Sequence, residues 1–199
     1  ERVKLQSVLS VVASRPVDPG MRIEVSSLDA TAARYAIRAV VYYRSNPFAR
    51  GPMATALENL RFSLSNVLDM YPKVTGRLSR RSGDDSDDDR WEVRCNDAGV
   101  RVFSADVDAS LDEWLMSAGT ADEEKLSAWE TMPPVDAGFW PPFRIQQMNS
   151  FKCGGIALGF SCSHLIGDIT SLALFINSWS ELHRRRSPPH IPIFHLPPP

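Results

Sequence analysis

Two hydrophobic periods alternate along this chain. Val8-Leu9-Ser10-Val11-Val12-Ala13-Ser14 is short and β-branched and runs into Pro16 and Pro19-Gly20, which predicts a strand ending in a loop. After Leu28-Asp29, the stretch Ala36–Tyr43 has the β-branched and aromatic bias of a second strand, stopped by Asn46-Pro47. Across residues 53–70 the period changes: Leu57, Leu60, Leu64, Val67 and Leu68 recur every three or four positions, on one face of a helix. Tyr71-Pro72 ends that helix, because proline disfavours helical geometry in the residue before it, and Gly76-Arg77-Leu78 opens another extended segment.

Trp91-Glu92-Val93-Arg94-Cys95 and Val100-Arg101-Val102-Phe103 flank Asn96-Asp97-Ala98-Gly99 and read as strand, turn and strand. The acidic run 84–89 lacks the spaced ligands and turning glycine of a calcium loop and reads as a solvated tip joining two paired strands. A short helix begins over residues 111–115. Pro133-Pro134 and Pro141-Pro142 then break the chain before the alternating Phe143-Arg144-Ile145-Gln146-Gln147-Met148. A strand over residues 154–162 precedes a helix marked by Leu172, Phe175, Ile176, Trp179 and Leu182, with Phe175 and Trp179 expected in the core. The stretch 187–199 is too proline-rich for a helix or central strand and reads as a linker after a domain of residues 1–186. Its Ile193, Phe194 and Leu196 imply that it lies along another surface or leads into a further domain.

With 199 residues, 43% of them hydrophobic, the chain can fill the core of one sizeable α/β domain. A formal charge of -2 offers no general attraction for nucleic acid, and Arg184-Arg185-Arg186 is too short a basic cluster to change that. No apolar run of about 18 residues is present and the amino end lacks a secretory signal, so the expected location is cytoplasmic. Cys95, Cys153 and Cys162 show neither paired spacing nor a nearby ligand cluster; free buried thiols are expected, and no metal.

The chemistry concentrates where the last strand meets the last helix. His164 is released at the end of an apolar, glycine-flanked run, with Asp168 four positions on, a place where catalytic groups are often displayed. An imidazole there is a candidate general base. The spacing by itself is weak in a chain with 24 carboxylates, and a buried, hydrogen-bonded histidine is its plainer reading.

The ordered series of segments resembles the amino-terminal half of plant BAHD acyltransferases. It comprises Leu28-Asp29 with Val41-Tyr42-Tyr43, the run from Leu64-Ser65-Asn66 through Tyr71-Pro72-Lys73-Val74-Thr75-Gly76-Arg77-Leu78, and Cys95-Asn96-Asp97-Ala98-Gly99-Val100. Phe151-Lys152-Cys153-Gly154-Gly155, His164-x-x-x-Asp168 and Phe175-Ile176-Asn177-Ser178-Trp179 complete it. The resemblance implies one mixed-sheet half of a two-domain, coenzyme A-dependent acyltransferase-like fold, with the histidine motif between the halves. It implies acyl-coenzyme A as co-substrate, with no permanently bound cofactor, and an alcohol or amine as acceptor. His164 is then the catalytic base, while Asp168, with Gly167, holds the motif loop and pairs with an arginine elsewhere. The family's second signature, Asp-Phe-Gly-Trp-Gly, is not found in these residues, which makes the carboxyl-terminal half an expected partner.

Many active members of the family carry glycine after the motif aspartate, where this chain has Ile169. Together with Ser163-His164-Leu165-Ile166-Gly167-Asp168 and Leu111-Asp112-Glu113-Trp114-Leu115, that residue resembles the eceriferum/Glossy-like branch of cuticular-wax proteins. The branch implies an alternative, a non-catalytic accessory to very-long-chain fatty-acid elongation, with elongase components as partners and an endoplasmic-reticulum association through them. His183, His190 and His195 have no comparable setting; His183 is expected to face solvent or cap its helix.

Overall fold

The computed structural model describes residues 2–25, 35–49, 53–80, 91–127, 143–164 and 166–193. Leu28-Asp29, the acidic run 84–89, both Pro-Pro pairs, Leu165 and the end of the proline-rich stretch with His195 lie outside them. The elements are β1 (Val3–Val11), β2 (Arg22–Glu24), β3 (Ala36–Tyr43), α1 (Met53–Leu68), α2 (Pro72–Thr75), β4 (Arg77–Arg80) and β5 (Trp91–Arg94). There follow β6 (Val100–Val107), α3 (Leu111–Ser117), α4 (Thr120–Glu123), a 3-10 turn (Glu124–Leu126), β7 (Phe143–Phe151), β8 (Ile156–Ser163) and α5 (Ile169–His183).

Five strands form one mixed sheet in the order β1-β6-β7-β8-β3. Only β6 and β7 run parallel, and α3, α4 and the 3-10 turn lie on the crossover between them, as a parallel pair requires. β8 is buried at every position because both faces of the sheet are covered. Ile156, Leu158, Phe160 and Cys162 pack in the core that α1 and α5 build with Leu60, Leu64, Leu68, Leu172, Phe175 and Trp179. Ala157 belongs to the other core, with Trp114, Leu126 and Phe151. Period two on a strand and three-or-four on the helices are thus satisfied by the same layers.

On the α3 side the 3-10 turn comes down almost onto β8. A Cβ added at Gly159 would stand 1.8 Å from the Leu126 carbonyl oxygen, so only glycine admits the contact. Buried Gln147 and Asn149 hold the turn there: Gln147 Nε2 donates to the Lys125 carbonyl at 2.7 Å and Asn149 Nδ2 to that of Leu126 at 2.9 Å.

β2, β5 and β4 make a second, antiparallel sheet around Ile23, Val25, Leu78, Val93 and Cys95. The turn Asn96-Asp97-Ala98-Gly99 therefore joins strands of different sheets rather than a hairpin. The Arg77 guanidinium braces this junction by donating to the carbonyls of Gly76 (2.8 Å), Gly99 (3.0 Å) and Ala98 (3.2 Å). The strands flanking the acidic run, β4 and β5, do pair.

Three expectations are corrected. The first strand begins at Val3 rather than Val8 and stops at Val11, because backbone pairing with β6 extends from Val3↔Val107 to Val11↔Val100 through residues whose side chains are mostly exposed. Cys95 and Cys162 are buried, but Cys153 is exposed in the β7–β8 turn. Its Sγ accepts the Leu111 N–H at 3.3 Å. His183, in the last turn of α5, is half-buried rather than fully turned to solvent: its ring packs edge-on against Phe48, centroids 4.7 Å apart, with Nε2 3.5 Å from the Pro47 carbonyl oxygen. Phe175 and Trp179 are core residues. No helix among the described residues is long and apolar enough to cross a membrane.

Candidate functional site

The edge strand β3 sets the position of His164. Its register against β8 ends at Ala36↔Ser163, and the ladder continues by one bond, the His164 N–H donating to the Tyr35 carbonyl at 3.3 Å. The chain then turns sharply, Ile166 N–H returning to the Ser163 carbonyl at 3.1 Å. His164 is half-buried, and its imidazole has no hydrogen-bonded side-chain partner among the described residues.

Asp168 is the N-cap of α5, with extended backbone at φ -100°, ψ -175°. Its Oδ1 accepts from the Ser171 N–H at 2.8 Å and from the Ser171 hydroxyl at 2.9 Å. A capping carboxylate satisfies one of the amide donors a helix start leaves unpaired and lies at the positive end of the helix dipole. The Ser171 N–H in particular holds the Asp168 carboxyl below the usual carboxylate range. Among the described residues no arginine pairs with it.

Gly167 is needed by the same cap: a Cβ there would stand 2.6 Å from the Ser171 Cβ and 2.8 Å from its hydroxyl. From the far side Lys73, on α2, donates from Nζ to the Ile166 carbonyl at 3.3 Å. The loop from β8 to α5 is thus fixed by a strand edge at His164, by a lysine at Ile166 and by a helix cap at Asp168. A pocket of about 450 Å³ opens against Gly167 and Asp168, with Lys73 and His190 also in its wall; His164 does not line it.

The structure brings His164, Gly167 and Asp168 into one loop but engages Asp168 with Ser171, not with His164. Its chemistry is therefore that of a solitary imidazole beside a rigid turn. Among the described residues no group of three or more His, Cys, Asp or Glu side chains is placed to hold a metal ion. Sequence reasoning passed over Ser171, Lys73 and Tyr35. Ser171 had a signal, since Asp-x-x-Ser at a helix start is a capping pattern. Lys73 had none, its contact lying 93 positions away.

A family model for the Transferase family matches residues 2–195. Hydroxycinnamoyl-CoA:piscidic acid hydroxycinnamoyltransferase of Actaea racemosa is 28% identical over 170 residues, covering 85% of this chain and 36% of that protein. Protein ECERIFERUM 2 of Arabidopsis thaliana is 28% identical over 183 residues, covering 90% and 42%. Among solved structures, vinorine synthase aligns with a TM-score of 0.78 at 26% identity, covering 98% of this chain and 46% of that one. The chain spans less than half the length of each of these proteins.

Proposed function

Because the chain belongs to the Transferase family of BAHD-type acyltransferases, we propose that the protein moves an acyl group from a coenzyme A thioester to an alcohol or amine, with His164 as general base. The observation that carries this reading is the loop geometry. Asp168 is committed to the α5 cap, which leaves the half-buried His164 imidazole without a carboxylate partner and able to take a proton from an incoming nucleophile. As His164 accepts that proton, the acceptor oxygen or nitrogen bonds to the thioester carbonyl carbon. The carbon–sulfur bond then breaks and the coenzyme A thiolate leaves. Both substrates held together allow direct attack, so neither Cys153 nor Cys162 has to form an acyl-enzyme. Coenzyme A in the name of the Actaea racemosa relative supports the donor class.

In this reading the site is completed by a second, carboxyl-terminal half, which also supplies an arginine for the outer face of Asp168. His164→Ala lowers turnover by roughly 10²–10⁴-fold with a smaller effect on donor binding. Release of free thiol across a panel of alcohol and amine acceptors measures it, and equal release from wild type and variant removes His164 from the mechanism.

One observation favours a second reading, the accessory to very-long-chain fatty-acid elongation. Ile169 occupies the first turn of α5 where many active members carry glycine, its side chain is exposed, and ECERIFERUM proteins are among the relatives. Under that reading neither wild type nor His164→Ala releases thiol, and both support elongation in cells.

A further inference from the structure

We infer that Lys73 is a positioning residue for His164: from α2 it latches the Ile166–Gly167 peptide in one of two orientations and so holds the turn that carries the imidazole. This deepens the acyl-transfer reading, on which it rests for the role of His164 alone. The Ile166 N–H donates to the Ser163 carbonyl at 3.1 Å, which closes a four-residue turn with His164 as the first of its two central residues. One end of that turn is fixed, since Ser163 is the last residue of β8 and pairs with Ala36. At the other end the Ile166 side chain packs against the main core. That contact settles where the residue sits but not which way its carbonyl points.

The next residue leaves that direction open. Rotating the Ile166–Gly167 peptide over changes ψ of Ile166 and φ of Gly167, and glycine accepts either sign of φ with similar ease. Gly167 lies outside the left-handed region. Lys73 Nζ donates to the Ile166 carbonyl at 3.3 Å, and among the described residues no other donor reaches that oxygen. A flipped peptide would turn the carbonyl away and present the Gly167 N–H to the ammonium, so the lysine favours one orientation. The latch has a firm base. Tyr71, two residues before Lys73, donates from its hydroxyl to Ser178 Oγ at 3.2 Å and packs edge-on against Phe175, ring centroids 5.0 Å apart, which ties it twice to α5.

The test is NMR of the isotope-labelled 199-residue protein, read at the Ile166 and Gly167 amides and the His164 ring. Wild type is expected to show one set of signals at all three. Lys73→Met should broaden or double the Gly167 and His164 signals through exchange between two peptide orientations. It should also speed hydrogen exchange at the Ile166 amide roughly tenfold or more, the effect of losing one charge-assisted hydrogen bond. Lys73→Arg, which keeps a cationic donor, should restore single signals. Lys125→Met, which removes a lysine paired with Asp122 on the 3-10 turn side, should match wild type. Lys73→Gln, too short to reach the carbonyl, repeats the test if the methionine variant does not fold. None of these readings needs turnover, so an inactive protein that shows them rejects acyl transfer and leaves the latch standing. Single, sharp Gly167 and His164 signals in a folded Lys73→Met or Lys73→Gln protein overturn the latch, as does faster exchange spread evenly over the whole sheet.

Discussion

Gly167 and Asp168 act on one another through Ser171, and their substitutions should separate geometry from charge. Asp168→Ala removes the cap acceptor and is expected to cost about 1 kcal/mol of stability, whereas Asp168→Asn still offers an oxygen to the Ser171 N–H and should retain most of it. Gly167→Ala drives a methyl group to within 2.6 Å of Ser171 and should lower the melting temperature although it leaves both cap partners in place. The charged part of the Asp168 contribution depends on pH in a fixed sense. The folded-state carboxyl lies below its ordinary value, so the contribution is complete above about pH 4 and fades as pH falls through the lowered value. Thermal melts of wild type and Asp168→Asn at pH 7 and pH 3 read this as a difference that shrinks in acid; a difference that grows would remove the charge from the account. The cysteines divide in the same manner. Burial pushes the Cys95 thiol to about 11 and the Cys162 thiol to about 12, while the Leu111 N–H holds exposed Cys153 below its ordinary value. A maleimide at neutral pH should therefore label Cys153 alone in the folded protein, and Cys153→Ser should abolish the labelling.

What the amino-acid pattern discloses depends on how each segment is held. Ala36–Tyr43 and β8 were readable because covered strands concentrate β-branched and apolar residues, and α1 and α5 because one helical face is buried. The start of β1 was not, because backbone bonds to β6 fix it and its side chains face outward. The candidate loop was readable in its histidine and aspartate, and the Asp-x-x-Ser cap was available to be read. The Lys73 clamp and the Tyr35 bond depend on chain-distant backbone carbonyls that leave no trace in local spacing. The contact between β8 and the 3-10 turn is of that second kind, and its cost can be measured. Gly159→Ala places a carbon 1.8 Å from the Leu126 carbonyl oxygen, which cannot yield without breaking the hydrogen bonds from Gln147 and Asn149. A loss of about 1–3 kcal/mol in urea unfolding is expected, and a variant as stable as wild type would mean that the turn lifts off freely.

Exposed apolar side chains occur at several places on the surface, Phe62 and Met116 among them, and some gather near the motif loop. The side chains of Ile169, Ile191 and Ile193 are exposed by 57%, 83% and 84%, the first at the start of α5 and the other two around the pocket at the motif loop. Apolar groups gathered at a mostly polar surface mark a place where something else packs. The family's implied second half is the occupant proposed here, since the chain spans less than half the length of its relatives and His164 borders the same loop. A hydrophobic dye should therefore bind the 199-residue protein, and binding should fall when Ile169 and Ile193 are both changed to serine. It should fall further in a protein that carries the second half, which covers the region. The same comparison bears on activity, because a base exposed on one half has no water-excluding wall opposite it. Thiol release should be weak or absent for the 199-residue protein and present for the longer one. Full turnover by the 199-residue protein, with no dye bound, would reject the two-half arrangement and leave His164 to work within the single sheet.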